Sequence, residues 1–120
     1  MTQPDPTPAL SLPEGYTFRK LKSTDYSNNY LETLKVLTIV GTISQQAFAD
    51  LFSTWESQSN IYHPHVITNP EGTVVATGML LVEAKLIHEC GKVGHIEDIS
   101  VAESEQGKKL GNYLVRNVID

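Results

Sequence analysis

Two stretches of the chain carry residue types able to do chemistry together. Glu97 and Asp98 are adjacent carboxylates inside His95-Ile96-Glu97-Asp98-Ile99-Ser100-Val101, and a short acidic link leads from them to Gln106-Gly107-Lys108-Lys109-Leu110-Gly111 and a helix-like run. A strand that enters a glycine-bearing turn and leaves it as a helix presents N–H groups without intrahelical acceptors at the positive end of the helix dipole. That junction is a ready phosphate site. We read Gln106 to Gly111 as a pyrophosphate cradle, with Lys108 and Lys109 adding positive charge at its mouth; the same residues also describe an exposed basic turn. Glu97 and Asp98 are the candidates for proton management. Successive strand residues face opposite sides, so both line one site only if the strand bulges there. Read alone, the pair also fits a solvated strand edge.

Other reactive side chains give weaker patterns. Cys90 has only His88 nearby as a base, and a small half-buried thiol is the better explanation. His63, His65, His88 and His95 invite a metal reading, but Pro64 interrupts the first pair and no carboxylate or cysteine stands at ligand spacing, so no metal is expected.

The elements that must position these residues follow from periodicity. Tyr16 to Leu21 alternates as a first strand, and Ser23 or Thr24 can cap a helix with Tyr26, Tyr30, Leu34 and Leu37 at helical spacing, ending near Gly41. Ser44 opens a second helix with Phe48, Leu51, Phe52 and Trp55 along one core stripe. His65 to Thr68 and Thr73 to Glu83 form a hairpin around Asn69-Pro70-Glu71-Gly72, and Gly78 inside the second arm predicts a bulge or a close approach. Lys92 to Val101 is a central strand and Lys109 to Val118 the helix after the turn. The prolines at positions 4, 6, 8 and 13 predict a mobile tail over residues 1–13, with one domain over 14–120.

Composition narrows the partners. A 120-residue chain holds one modest core, and no apolar run approaches the roughly 20 residues that span a bilayer. A formal charge of -5 argues against a nucleic-acid partner, which needs a basic face. One cysteine and the lack of a secretory pattern at the start point to the cytoplasm.

Gln106 and Gly111 fit the signature of the acyl-CoA-dependent N-acetyltransferase superfamily, with Lys109 where that family usually has a glycine. A left-handed non-glycine residue costs roughly 1 kcal/mol, which a charge-assisted phosphate contact can offset. Leu34 to Thr38, Val75-Ala76-Thr77-Gly78, Lys85-Leu86-Ile87-His88-Glu89 and Gly94 to Ile99, in that order, narrow the match. From about Pro13 onward the chain resembles the fungal glucosamine-6-phosphate N-acetyltransferases.

That resemblance implies an α/β (α+β) fold with a mixed, mainly antiparallel sheet and flanking helices, in the order β-α-α-β-β-β-α. It implies transfer of acetyl from acetyl-CoA to the amine of glucosamine 6-phosphate, supplying UDP-N-acetylglucosamine synthesis. Position by position, Thr38, Lys85, Leu86, Ile87, His88, Glu97, Asp98 and Ile99 would contact the amino sugar phosphate. Ile99, Ser100, Val101, Gly107, Lys108, Lys109, Leu110, Gly111 and Asn112 would contact acetyl-CoA, with backbone N–H groups around Ile99 to Val101 left free for the thioester. The family continues past the equivalent of Asp120 with a catalytic tyrosine and dimer segments, so the resemblance implies a C-terminally incomplete domain that is a homodimer when complete. Two other readings stay open: an acetyltransferase for another amine, and a non-catalytic module that binds a partner through an open strand edge.

Overall fold

Val66 and Ile67, adjacent in one strand, are both fully buried. Neighbouring strand residues point to opposite faces, so this sheet is covered on both sides. The computed structural model describes residues 11–118. Its strands β1 (Thr17–Lys20), β2 (Tyr62–Thr68), β3 (Val74–Ala84) and β4 (Lys92–Val101) form one sheet in the order β1-β2-β3-β4, every pairing antiparallel. The helices are α1 (Tyr30–Leu34), α2 (Gln45–Ser57), α3 (Ile87–Cys90) and α4 (Leu110–Asn117). The expected order is met, with α3 as an added single turn. No helix among the described residues is long and apolar enough to cross a membrane.

One face packs under α4, whose Leu110 and Leu114, together with Val118 just beyond it, recur every fourth residue and bury against Ile67 and Ala76. Each buried leucine contributes about 2 kcal/mol. The other face packs Leu21, Tyr30, Phe48, Val66 and Val74 beneath α1 and α2. Ser44 caps α2 as expected, its hydroxyl accepting from the Ala47 N–H at 3.0 Å. The Asn69–Gly72 turn is held by the Asn69 side chain, which accepts from the Glu71 and Thr73 amides.

Several expectations are corrected. The helix drawn from Ser23 to Gly41 is a 3₁₀ turn (Ser23–Ser27) and the short α1, which ends at Leu34. The break is Asn28-Asn29: Asn29 is left-handed (φ 68°), and the two side-chain amides donate to Gly72 O (2.8 Å) in the hairpin turn and Val74 O (3.1 Å) in β3, bonds that a continuous helix would forgo. Pro64 does not interrupt its strand. β1 ends opposite His65, and Pro64 still accepts from the Leu21 N–H at 3.0 Å through its carbonyl, so only one donor is lost at the end of the β1–β2 ladder. Leu51 is 49% exposed, so the α2 stripe narrows to Phe48, Phe52 and Trp55. His88 lies in α3, and its side chain is outside the described residues. The strand expected to be central, β4, borders the sheet among the described residues. Of the tail expected over 1–13, residues 1–10 lie outside the described residues, while Leu12 packs against the α4 face and Pro13 O accepts from Tyr16 N.

Candidate active site

The centre of the site is a fault in the β3–β4 ladder. Pairing is regular from Ala84↔Lys92 to Met79↔Glu97 and resumes beyond the fault at Thr77↔Ser100, so Asp98 and Ile99 together face Gly78. Asp98 takes the left-handed conformation (φ 54°), that of the first residue of a G1-type bulge, where glycine is usual. The local bulge that adjacent carboxylates require is therefore present, and Glu97 and Asp98 are both exposed on it. Gly78 is the residue that tolerates it: a Cβ there would stand 2.7 Å from Ile99 Cδ1. Buried hydroxyls fix both sides of the fault. Thr77 Oγ1 donates to Asp98 O at 3.1 Å, and Ser100 Oγ donates to Thr33 O on α1 at 2.7 Å. Tyr30 lies close by; burial first, then the charges of Asp98 and Asp25, push its phenol up to about 12.

The turn after β4 has the expected shape. Gly107 (φ 96°) and Lys109 (φ 63°) are both left-handed, and α4 begins immediately after Lys109. Tyr113 is the first residue whose amide finds an intrahelical acceptor, Lys109 O at 3.1 Å, so the amides of Leu110, Gly111 and Asn112 precede the ladder. They border a shallow hollow of about 190 Å³ shared with Val101, Gln106 and Gly107. A Cβ on Gly111 would lie 3.8 Å from both Ile99 and Val101, so bulge and turn form one continuous surface. This donor set fits a pyrophosphate.

The two lysines divide the labour expected of both. Lys108 Nζ is held by Glu105 Oε2 (2.6 Å) and Tyr16 OH (3.0 Å) and sits over the Tyr16 ring. The Glu105 contact raises the lysine's pKa and lowers that of the carboxylate. Lys108 thus braces the turn, and the exposed Lys109 is left to supply charge.

On the other side of the bulge, a hollow of about 630 Å³ is lined by Ile61, Tyr62, Leu81, Glu83, His95 and Glu97. Glu83 bonds His95 Nε2 at 2.9 Å and Lys85 Nζ at 3.1 Å, and those two contacts, His95 first, hold its carboxyl below the usual range. Lys85 does not itself line the hollow; its ammonium pairs with Glu83, which does. Leu86 and Ile87 are 88% and 60% exposed, and Thr38 lies in the exposed stretch after α1. None of these three is tied to the bulge by a described hydrogen bond.

Thr77, Thr33, Glu83 and His95 did not stand out from the sequence as parts of a site. A hydroxyl in the apolar run Val74-Val75-Ala76-Thr77 was the one available signal. Among the described residues no group of three or more His, Cys, Asp or Glu is placed to hold a metal. His65 instead stacks on Phe18 with ring centroids 4.9 Å apart.

Residues 22–120 match the model of the acetyltransferase (GNAT) family. The chain is 72% identical over 109 residues to glucosamine 6-phosphate N-acetyltransferase of Candida albicans, covering 91% of this chain and 73% of that protein. It is 35% identical over 106 residues to glucosamine 6-phosphate N-acetyltransferase 1 of Dictyostelium discoideum, covering 88% and 67%. Among solved structures, the glucosamine-6-phosphate N-acetyltransferase of Arabidopsis thaliana superposes with a TM-score of 0.86 at 33% identity, over 89% of this chain and 74% of that one.

Proposed function

The chain belongs to the acetyltransferase (GNAT) family, and on that premise we propose that it transfers acetyl from acetyl-CoA to the amine of glucosamine 6-phosphate, giving N-acetylglucosamine 6-phosphate for UDP-N-acetylglucosamine synthesis. The observation that carries the substrate is the 72% identity to the Candida albicans enzyme over 91% of this chain. Three tasks fall to this chain's residues. The amides from Gly107 to Asn112, with Lys109, hold the pyrophosphate of the acyl donor. Backbone N–H groups of Ile99 to Val101 receive the thioester oxygen as charge develops on it; a preorganised donor of this kind lowers the barrier by about 3 kcal/mol. Glu97 and Asp98 orient the amine and accept its proton as nitrogen attacks the carbonyl carbon, after which the carbon–sulfur bond breaks and the thiolate leaves. Thr38 and the Lys85–His88 segment, with Ile99, take the sugar phosphate, Lys85 as a point charge.

We take residues 14–120 as one acetyltransferase domain, working in the cytoplasm as a homodimer. Supporting this are the exposed free thiol of Cys90, suited to a reducing compartment, and the outer edge of β4, which pairs with no described strand. The test is release of free thiol from acetyl-CoA with glucosamine 6-phosphate, without it, and with a lysine peptide in its place. Release that depends on the sugar phosphate is expected. Equal release with the peptide transfers the reading to another amine, and no sugar-dependent release overturns it.

A further inference from the structure

We propose that Thr77 is a positioning residue for acetyl transfer: its hydroxyl sets the plane of the Asp98–Ile99 peptide and so aims the Ile99 N–H at the thioester oxygen. The inference rests on the acetyl-CoA reading above and adds the group that keeps one of its backbone donors in line.

The argument begins with a buried hydroxyl. Thr77 is 1% exposed in a strand whose preceding residues are Val74, Val75 and Ala76. Valine has the same shape and a higher strand preference there, and a buried hydroxyl is tolerated only with a partner. The partner is Asp98 O at 3.1 Å, the carbonyl of the residue that the bulge takes out of regular pairing. No described peptide bond is cis, and in a planar trans peptide the carbonyl of one residue and the N–H of the next point in opposite directions. Drawing Asp98 O toward Thr77 therefore turns the Ile99 N–H away from β3, to the side of β4 that carries no described strand.

The neighbouring contacts fix the residues beyond that peptide, and the Thr77 hydroxyl holds its carbonyl. Ile99 lies across Gly78, where no Cβ fits, and Ser100 is anchored to Thr33 O on α1. Without the Thr77 hydroxyl, the Asp98 carbonyl at a left-handed residue is free to swing toward water, and the Ile99 N–H swings with it.

The experiment compares Thr77→Val, which removes only the hydroxyl, with Thr77→Ser, which keeps it. Loss of one preorganised donor costs about 100- to 1,000-fold in kcat, and misaiming one is expected to cost about 10- to 100-fold. Thr77→Val should therefore lower kcat by that factor with the KM for acetyl-CoA almost unchanged, and Thr77→Ser should restore it. A Thr77→Val enzyme with unaltered kcat overturns the proposal, even if it melts earlier. So does equal impairment in both variants, which would make the methyl group the important part. Should Thr77→Val fail to fold, amide NMR of the unaltered chain decides. On adding acetyl-CoA, the Ile99 amide proton is expected to move downfield together with signals from Leu110 to Asn112. A shift at the turn without one at Ile99 overturns the role of Thr77 and leaves the acetyl-CoA reading standing. No shift at either place overturns both.

Discussion

Arg19 and Asp25 meet in a fork of two 2.8 Å bonds, and the Asp25 carboxylate, 1% exposed, also takes the Lys22 N–H at 2.8 Å and the Asn28 side-chain amide at 3.3 Å. Glu83, Lys85 and His95 form the second charged group, held by bonds of 3.1 and 2.9 Å, with each side chain more than a third exposed. In the first group every charge has a fixed donor or acceptor and little water to fall back on. In the second, water and salt compete for every contact. The first therefore holds shape, fastening β1 to the turn that leads into α1. The second can surrender a partner to a ligand, and it borders the hollow that reaches Glu97.

The strongest way to break this contrast is to cut the buried fork. Arg19→Met leaves a carboxylate in the interior without its counter-charge and is expected to cost about 3 kcal/mol, seen as a fall in Tm of roughly 10–20 °C. The pH dependence has a definite sign. Burial pushes the Asp25 carboxyl up, but Arg19, the Lys22 amide and Asn28 outweigh it, so its folded pKa lies below the ordinary value. An unfolded aspartate titrates near about 3.9. The stabilisation is thus complete above that pH and is lost as pH falls through the lower folded value. Thermal melts from neutral pH downward should show this acid limb in the native chain and a flatter one in Asp25→Asn.

Next in size is Gly78→Ala. The added methyl would meet Ile99 Cδ1 at 2.7 Å in the packed layer beneath α4, where Leu114 closes the other side. Overpacking of this kind costs about 1–3 kcal/mol. Melting should fall by less than in Arg19→Met, while kcat falls with it because the strain is applied at the bulge itself. An unchanged melt would mean that Ile99 has another place to go and that the bulge is softer than its packing implies.

Which of these features the sequence exposed depends on how far apart the contacting residues are. β4 was legible to its ends at Lys92 and Val101, and the requirement for a bulge followed from two acids side by side. The left-handed Lys109 followed from the family resemblance, in which a glycine usually stands at that position. The role of Lys108 was not legible, since its phenol partner Tyr16 lies 92 positions away. Neither was the break at Asn28-Asn29, which exists because Gly72 in the hairpin turn and Val74 in β3 offer carbonyls from far along the chain. Thr77 was visible as a polar residue in an apolar run, but its partner became visible only when the register placed Asp98 beside it.

The smallest effects test the exposed group. Lys85→Met removes the charge proposed to meet the sugar phosphate and should raise the KM for glucosamine 6-phosphate about tenfold, with kcat within about twofold, as for one charge-assisted contact. Glu83→Gln acts in the opposite direction. It frees Lys85 from a carboxylate that a phosphate must otherwise displace, so the same KM should fall by about two- to threefold, and added salt should narrow the difference. Its melting temperature should not move, because all three side chains are already hydrated. A rise in KM in Glu83→Gln would reverse the assignment, making Glu83 a direct holder of the sugar and Lys85 the residue that positions it.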